Sequence, residues 1–212
     1  TTTINCFLGF IQPSAGDAII DGIVVAQNPT ETKKHLAYIP ETVMLYPNLS
    51  GVENLAFFSS LAGFNYSQQE LENLLQKSGL QTIAHHNRVG GYSKGMRQKV
   101  GIAIAIAKKA KVLLLDEPFS HVDGFLKERL IQLLKAWQRK TKATVVFVAH
   151  DARDAMRWAD RIDVMQQGQI VESGPSDQIY AAPKTKPMAY AWGPINDFVL
   201  SRVPDNLRGH KN

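Results

Sequence analysis

The chain has 212 residues, 44% of them hydrophobic and 20% charged, with a net charge of +5 and a pI near 9.3. This is an ordinary globular composition, enough for one domain with a sizeable core. It excludes an internal disulfide, because Cys6 is the single cysteine, and it excludes a membrane-spanning run, because the longest apolar candidate, Ile102 to Ala107, stops at Lys108-Lys109. The lysines and arginines are spread along the chain, so the basic balance alone selects neither nucleic acid, anionic lipid nor nucleotide. No signal peptide is visible and the first residue is not methionine, so the sequence reads as a fragment.

The first ten residues read as the body of a helix ending near Gly9. Ala18-Ile19-Ile20 before Asp21-Gly22 predicts a strand entering a tight turn. Ala37-Tyr38-Ile39 predicts a short buried strand closed by Pro40. From Glu41 to Ala107 the pattern turns helical. Ser67-Gln68-Gln69-Glu70 is a capping box, Leu71, Leu74 and Leu75 share one face, and Gly79 is a helix stop. His85-His86 reads as a solvated turn, because no partner has metal-ligand spacing. A further helix starts near Lys94. Val112-Leu113-Leu114-Leu115 then reads as a strand buried on both faces, followed by a helix from about Phe125 to Arg139. A second apolar strand runs from Thr144 and ends in His150, and a helix spans Ala152 to Trp158. Ile162 to Met165 and Gln169 to Glu172, split by Gln167-Gly168, predict a hairpin. From Ala181 onward no period is visible. Strands alternating with helices predict an α/β fold with a parallel core.

The densest chemical signal is Asp116-Glu117-Pro118 at the end of the apolar strand. Open α/β sheets bind ligands at the carboxyl ends of their strands. Adjacent carboxylates there call for a counter-charge, which a metal ion with bound phosphates would supply. Ser93-Lys94-Gly95 opens a helix, where a hydroxyl and unpaired backbone N–H groups suit an anion.

Gly91-Tyr92-Ser93-Lys94-Gly95-Met96-Arg97-Gln98, the Asp116-Glu117 pair, Ser120-His121-Val122-Asp123 and His150 follow one another in an order and spacing that resemble the ATPase subunit of an ABC transporter. The resemblance runs from Thr1 to about Gln178. It implies a P-loop NTPase (RecA-like) α/β core over 1–40 and 108–180, an inserted helical subdomain over 41–107, and a C-terminal extension over 181–212. Family members read GKTTT at the P-loop, so Thr1-Thr2-Thr3-Ile4 would follow directly on its lysine. Thr1 would then bind Mg²⁺ and Thr2 would touch phosphate. The glycine loop, the lysine and the adenine-stacking aromatic are not among the 212 residues, so this polypeptide is expected to be N-terminally truncated and to bind ATP poorly.

The resemblance assigns roles to the other motif residues. Asp116 would hold Mg²⁺ through water, and Glu117 would polarise the attacking water. Ser93, Lys94 and Gly95 stand in the signature motif and would contact the γ-phosphate held by a second ATPase subunit, identical or different. Asp123 would serve the contact between subunits. His150 would sense the γ-phosphate. Glu41 stands where a glutamine is usual and would approach Mg²⁺ and couple the nucleotide to a transmembrane permease subunit. Tyr92-Ser93-Lys94-Gly95-Met96 and Tyr38-Ile39-Pro40-Glu41 are similar to ABC-2-type exporters, whereas Asp116 to Ser120 and Gly174 to Tyr180 are similar to importers. The implied cofactors are ATP and Mg²⁺, and the implied location is the cytoplasmic face of a membrane. Nucleic acid is not expected as a partner. Two other readings remain open at this stage. One is a soluble ABC-type ATPase acting on nucleic acid or ribosomes, and the other is a non-catalytic nucleotide-responsive module.

Overall fold

The computed structural model describes residues 2–119 and 122–184. The expectations placed on Thr1, on Ser120 and His121, and on the tail from 185 lie outside these residues. The chain divides into two compact units, Thr1–Val148 and Ala149–Asn212.

The first unit is built on a three-stranded parallel sheet in the order β3-β4-β5, with β3 at Leu36–Ile39, β4 at Val112–Asp116 and β5 at Thr144–Val148. The unbroken apolar run of β4 follows from its central place. Flanked on both edges and covered on both faces, Leu113, Leu114 and Leu115 are each at most 1% exposed. Helix α1 (Thr2–Phe7) lays Ile4 and, just beyond it, Leu8 against Ile20, Val25, Leu36 and Leu114. The chain leaves α1 through Gly9 at φ 71°, the left-handed stop that the sequence announces. Strands β1 (Ile19–Ile20) and β2 (Ile23–Val24) form a two-residue hairpin whose corner, Asp21-Gly22, has both φ angles positive. Helix α2 (Pro29–His35) is absent from the sequence reading. Its seven residues are too few to show an apolar period. Its end signals are nonetheless present: Pro29 in the first turn, Glu31 beside it, and Lys33, Lys34 and His35 in the last turn.

Between β3 and β4 the chain forms helices α3 (Gly51–Leu61), α4 (Gln68–Lys77) and α5 (Lys94–Ala107) around Leu55, Leu71, Leu75, Leu80, Val100 and Ala103. The expected Ser67–Glu70 capping box is formed, and Ser50–Glu53 forms a second one at the head of α3. In both boxes the backbone N–H that the glutamate accepts holds its carboxyl below the ordinary range. His85 departs from the solvated turn expected of it. It is 1% exposed, with Nε2 facing the Leu80 carbonyl at 3.2 Å, because its turn is folded under α3 and its own carbonyl accepts from the Val52 N–H. Helix α6 (Gly124–Thr141) connects β4 to β5 and buries Leu130, Ile131 and Leu134.

The second unit holds α7 (Ala152–Trp158), the antiparallel hairpin β6 (Arg161–Gln166) and β7 (Gln169–Pro175), and α8 (Ser176–Ala181). Gln167 and Gly168 turn the hairpin with positive φ, as their position between two apolar runs predicts. Ile162 and Ile179 form its small core. Among the described residues, no helix is long and apolar enough to cross a membrane.

Candidate functional site

Asp116 is the last residue of β4 and is 8% exposed. Its carboxylate faces the Tyr38 side chain of β3. Burial first, and the Asp116 charge second, push the Tyr38 phenol above its usual value. Sequence reading passed over Tyr38 as part of a strand. The signal was its parity: Tyr38 stands opposite Leu114 in the parallel register, two positions before Asp116, on the same side of the pleated sheet. Glu117 follows at φ 45°, a left-handed conformation uncommon for a glutamate. Its N–H donates to the Val148 carbonyl at 3.1 Å, which fixes the turn against the end of β5. Strain of this kind, held by a defined hydrogen bond at the carboxyl end of a central strand, is a feature of functional sites.

The segment at Ser93, Lys94 and Gly95 is built from helix ends. Ser93 caps α5, its Oγ accepting from the Met96 N–H at 3.2 Å. Asp123 caps α6, its Oδ1 accepting from the Phe125 and Leu126 N–H groups at 3.0 and 3.3 Å. The two helix starts meet at Gly95, where an added Cβ would overlap Leu126 Cδ2. The positive ends of a 14-residue and an 18-residue helix therefore sit side by side, an arrangement suited to an anion.

Glu41 joins this group. It lies two residues beyond the end of β3, and its loop is tied to one face of α5 at three successive contacts. Lys94 Nζ approaches its Oε1 at 3.5 Å. Gln98, 2% exposed, donates from Nε2 to its backbone carbonyl at 2.9 Å. One turn further on, Val43 packs where a side chain on Gly101 would stand, 3.1 Å from its would-be Cβ. The spacing 94, 98, 101 is one helical face.

His150 belongs to the second unit and is exposed. The strand expected to end in it stops at Val148. The ladder runs out because β4 supplies its last pair at Asp116–Val148, and Asp151 then caps α7 by accepting from the Arg153 N–H at 2.8 Å. Thr2 stands exposed at the head of α1. The first unit thus brings Asp116 together with Tyr38, and Ser93, Lys94 and Gly95 together with Glu41 and the Asp123 cap.

The donors suit a hard cation. Magnesium is held by one or two carboxylates plus phosphates and waters, and seldom by a full protein cage. Asp116 offers one such carboxylate at a strand end, and Glu41 offers another on the loop leaving the neighbouring strand. Among the described residues no group of three His, Cys, Asp or Glu side chains converges.

Comparison with known proteins agrees with this geometry. The family model described as ABC transporter matches residues 1–120. The glycine betaine/proline betaine transport system ATP-binding protein ProV of Escherichia coli is 34% identical over 190 residues, covering 86% of this chain and 47% of that protein. The spermidine/putrescine import ATP-binding protein PotA of Pasteurella multocida is 33% identical over 211 residues, covering 97% and 56%. Among solved structures, an ATP-binding subunit of an ABC transporter superposes with a TM-score of 0.74 at 28% identity, covering 85% of this chain and 75% of that one. A dimeric bacterial ABC transporter cassette gives 0.73 at 25%, covering 82% and 79%. The chain spans about half the length of the curated relatives it matches. With a P-loop NTPase sheet, an acidic pair at the end of its central strand and a serine-capped helix α5, the chain belongs to the ABC transporter family, among its ATP-binding cassettes.

Proposed function

We propose that the complete protein is the ATP-hydrolysing subunit of a membrane transporter, working as a dimer and docked on a permease that spans the bilayer. The observation that carries this reading is the Asp116-Glu117 turn. A buried carboxylate and a strained one stand at the carboxyl end of the central parallel strand. The capped start of α5 lies in the same unit.

In this reading Asp116 and Glu41, with Thr1, hold Mg²⁺, which neutralises phosphate charge when bound. Thr2 contacts phosphate. Glu117 orients a water and accepts its proton as it attacks the γ-phosphate, a general-base contribution of about 10²–10⁴-fold. Tyr38 holds the Asp116 carboxylate in place. Ser93, Lys94 and Gly95 present N–H groups and a positive charge to the nucleotide of the second subunit, which is why two subunits are required. Asp123 serves the subunit contact, and His150 senses the γ-phosphate. Residues 41–107 act as a helical subdomain carrying the signature motif around the core formed by 1–40 and 108–180.

An exposed aromatic group supports a docked partner. Tyr46 meets Phe57 edge-on at 4.9 Å and stacks on Phe58 at 6.0 Å, with Met44 78% and Leu61 75% exposed nearby in sequence. Met44 and Tyr46 follow Glu41 within five residues, and Tyr46 joins them to Phe57 and Phe58 of α3, so a protein resting on this group would feel movement of the Glu41 loop. The relatives' printed names include several import systems, and import is the direction we propose. The decisive experiment is purification of the complete protein from membranes. A stoichiometric multi-span partner supports the proposal. Recovery entirely in the soluble fraction, bound to ribosomes or nucleic acid, overturns it.

A further inference from the structure

Glu41 stands where the resemblance makes a glutamine usual, Lys94 stands in the segment that resembles the signature motif, and the structure pairs them at 3.5 Å within one subunit. Both side chains retain water, with 49% and 33% exposure, so the pair is not locked by burial and can exchange partners. Their backbones, in contrast, are held. Gln98 donates to the Glu41 carbonyl from a buried position, and Val43 packs against Gly101. Lys94 is the first residue of α5, directly after the Ser93 cap, so its ammonium stands at a helix start offered to an anion. Glu41 follows the β3 strand that carries Tyr38 to Asp116. In the proposed function one carboxylate therefore has two claimants, the lysine beside it and the cation that Asp116 would hold, and one ammonium has two as well.

We propose that Lys94 is a positioning residue that competes with the nucleotide-bound metal for Glu41, so that filling one subunit's own nucleotide site releases Lys94 toward the nucleotide of the other subunit. This deepens the proposed function and rests on it. The pair links the two halves of the ATP site through a charge exchange confined to side chains, with the α5 scaffold unmoved. A glutamine at 41 or an alanine at 94 would remove the link. For an exposed pair the effect is modest, about 1.5- to 5-fold.

The test is a cycle of Lys94→Ala, Glu41→Gln and the double variant in the complete protein, made in a Glu117→Gln background so that nucleotide is bound without turnover. The readout is the Mg²⁺ concentration that half-saturates ATP binding, followed by calorimetry at protein concentrations that keep the subunits apart. Lys94→Ala should lower that concentration about 1.5- to 5-fold, and Lys94→Arg should restore it. The effect should vanish when Glu41 is already glutamine, and it should shrink at 0.5 M salt, where the Debye length falls below about 5 Å. An unchanged Mg²⁺ dependence in Lys94→Ala, or a shift that persists in the Glu41→Gln background, overturns the inference and leaves the ATPase reading standing. If the parent protein binds no Mg²⁺·ATP at all, the ATPase reading itself fails and takes this inference with it.

Discussion

Replacing Asn54 by alanine tests how the loop after Glu41 is built. Asn54 is 0% exposed on α3 and ties the Tyr46–Ser50 segment by four hydrogen bonds. Its Oδ1 accepts from the Tyr46 N–H at 2.8 Å, and its Nδ2 faces the carbonyls of Tyr46, Leu49 and Ser50 at 3.1, 3.4 and 2.9 Å. The cost of alanine is not four lost bonds. Each carbonyl keeps a second donor: the Leu49 N–H for Tyr46, the Val89 N–H for Leu49 and the Asn54 N–H for Ser50. What loses its partner is one donor, the Tyr46 N–H, together with the packing of a fully buried amide. One unsatisfied buried group costs about 1–3 kcal/mol, and the small void adds to it, so the expected loss is about 2–3 kcal/mol. Aspartate makes the sharper comparison. It keeps Oδ1 for Tyr46 but turns an oxygen toward three carbonyls, so at pH 7 it should be at least as damaging as alanine, and less so once protonated. Urea unfolding of the three proteins, with hydrogen exchange at Tyr46, reads this directly. An Asn54→Ala loss below about 0.5 kcal/mol, the range of ordinary surface substitutions, would refute the reasoning, as would an aspartate variant more stable than alanine at pH 7.

Three further outcomes follow from the site. Glu117→Gly should be more stable than Glu117→Ala by about 1 kcal/mol, because the backbone at φ 45° suits glycine better than alanine; thermal unfolding of the two variants checks this. Gly95→Ala should lose about 1–2 kcal/mol to overlap with Leu126 despite alanine's better helix propensity, and adding Leu126→Ala should reverse the sign of the Gly95→Ala effect, read as a double-mutant cycle in denaturant. The raised Tyr38 phenol means that its neutral form stabilises the fold fully below the unfolded phenol's value near 10 and that this contribution is lost as pH rises through the folded value above it. Tyr38→Phe should flatten the alkaline limb of the stability profile, and an unchanged limb would show that burial beside Asp116 does not govern it.

Much of the site was legible because its signals are local in sequence. The β4 run is apolar because both faces and both edges are covered, and the carboxylates at its end stand out for that reason. Caps are likewise local, so Ser93 and Ser67 could be read from a serine at the helix start, and Ser67 also from a glutamate three residues on. The same signal is present at Ser50 and Glu53, a serine followed three residues on by a glutamate. Tyr38–Asp116 and Lys94–Glu41 were not legible, since each joins residues more than fifty positions apart whose meeting depends on sheet register and on the packing of α5 against β3. His85 was misread for a related reason, because a polar residue in a turn is buried only when a distant element, here the start of α3, closes over it. The strand before His150 was read two residues too long, since β-branched and aromatic composition does not reveal where a neighbouring strand stops.

The central claim is that Glu117 activates water in an ATP site to which Asp116 contributes. It is tested most directly by comparing the complete protein with its Glu117→Gln variant for Mg²⁺·ATP binding and for phosphate release. The account predicts binding within a few-fold of the parent and turnover lowered at least about 100-fold in the variant. Phosphate release by Glu117→Gln at the parental rate would contradict it.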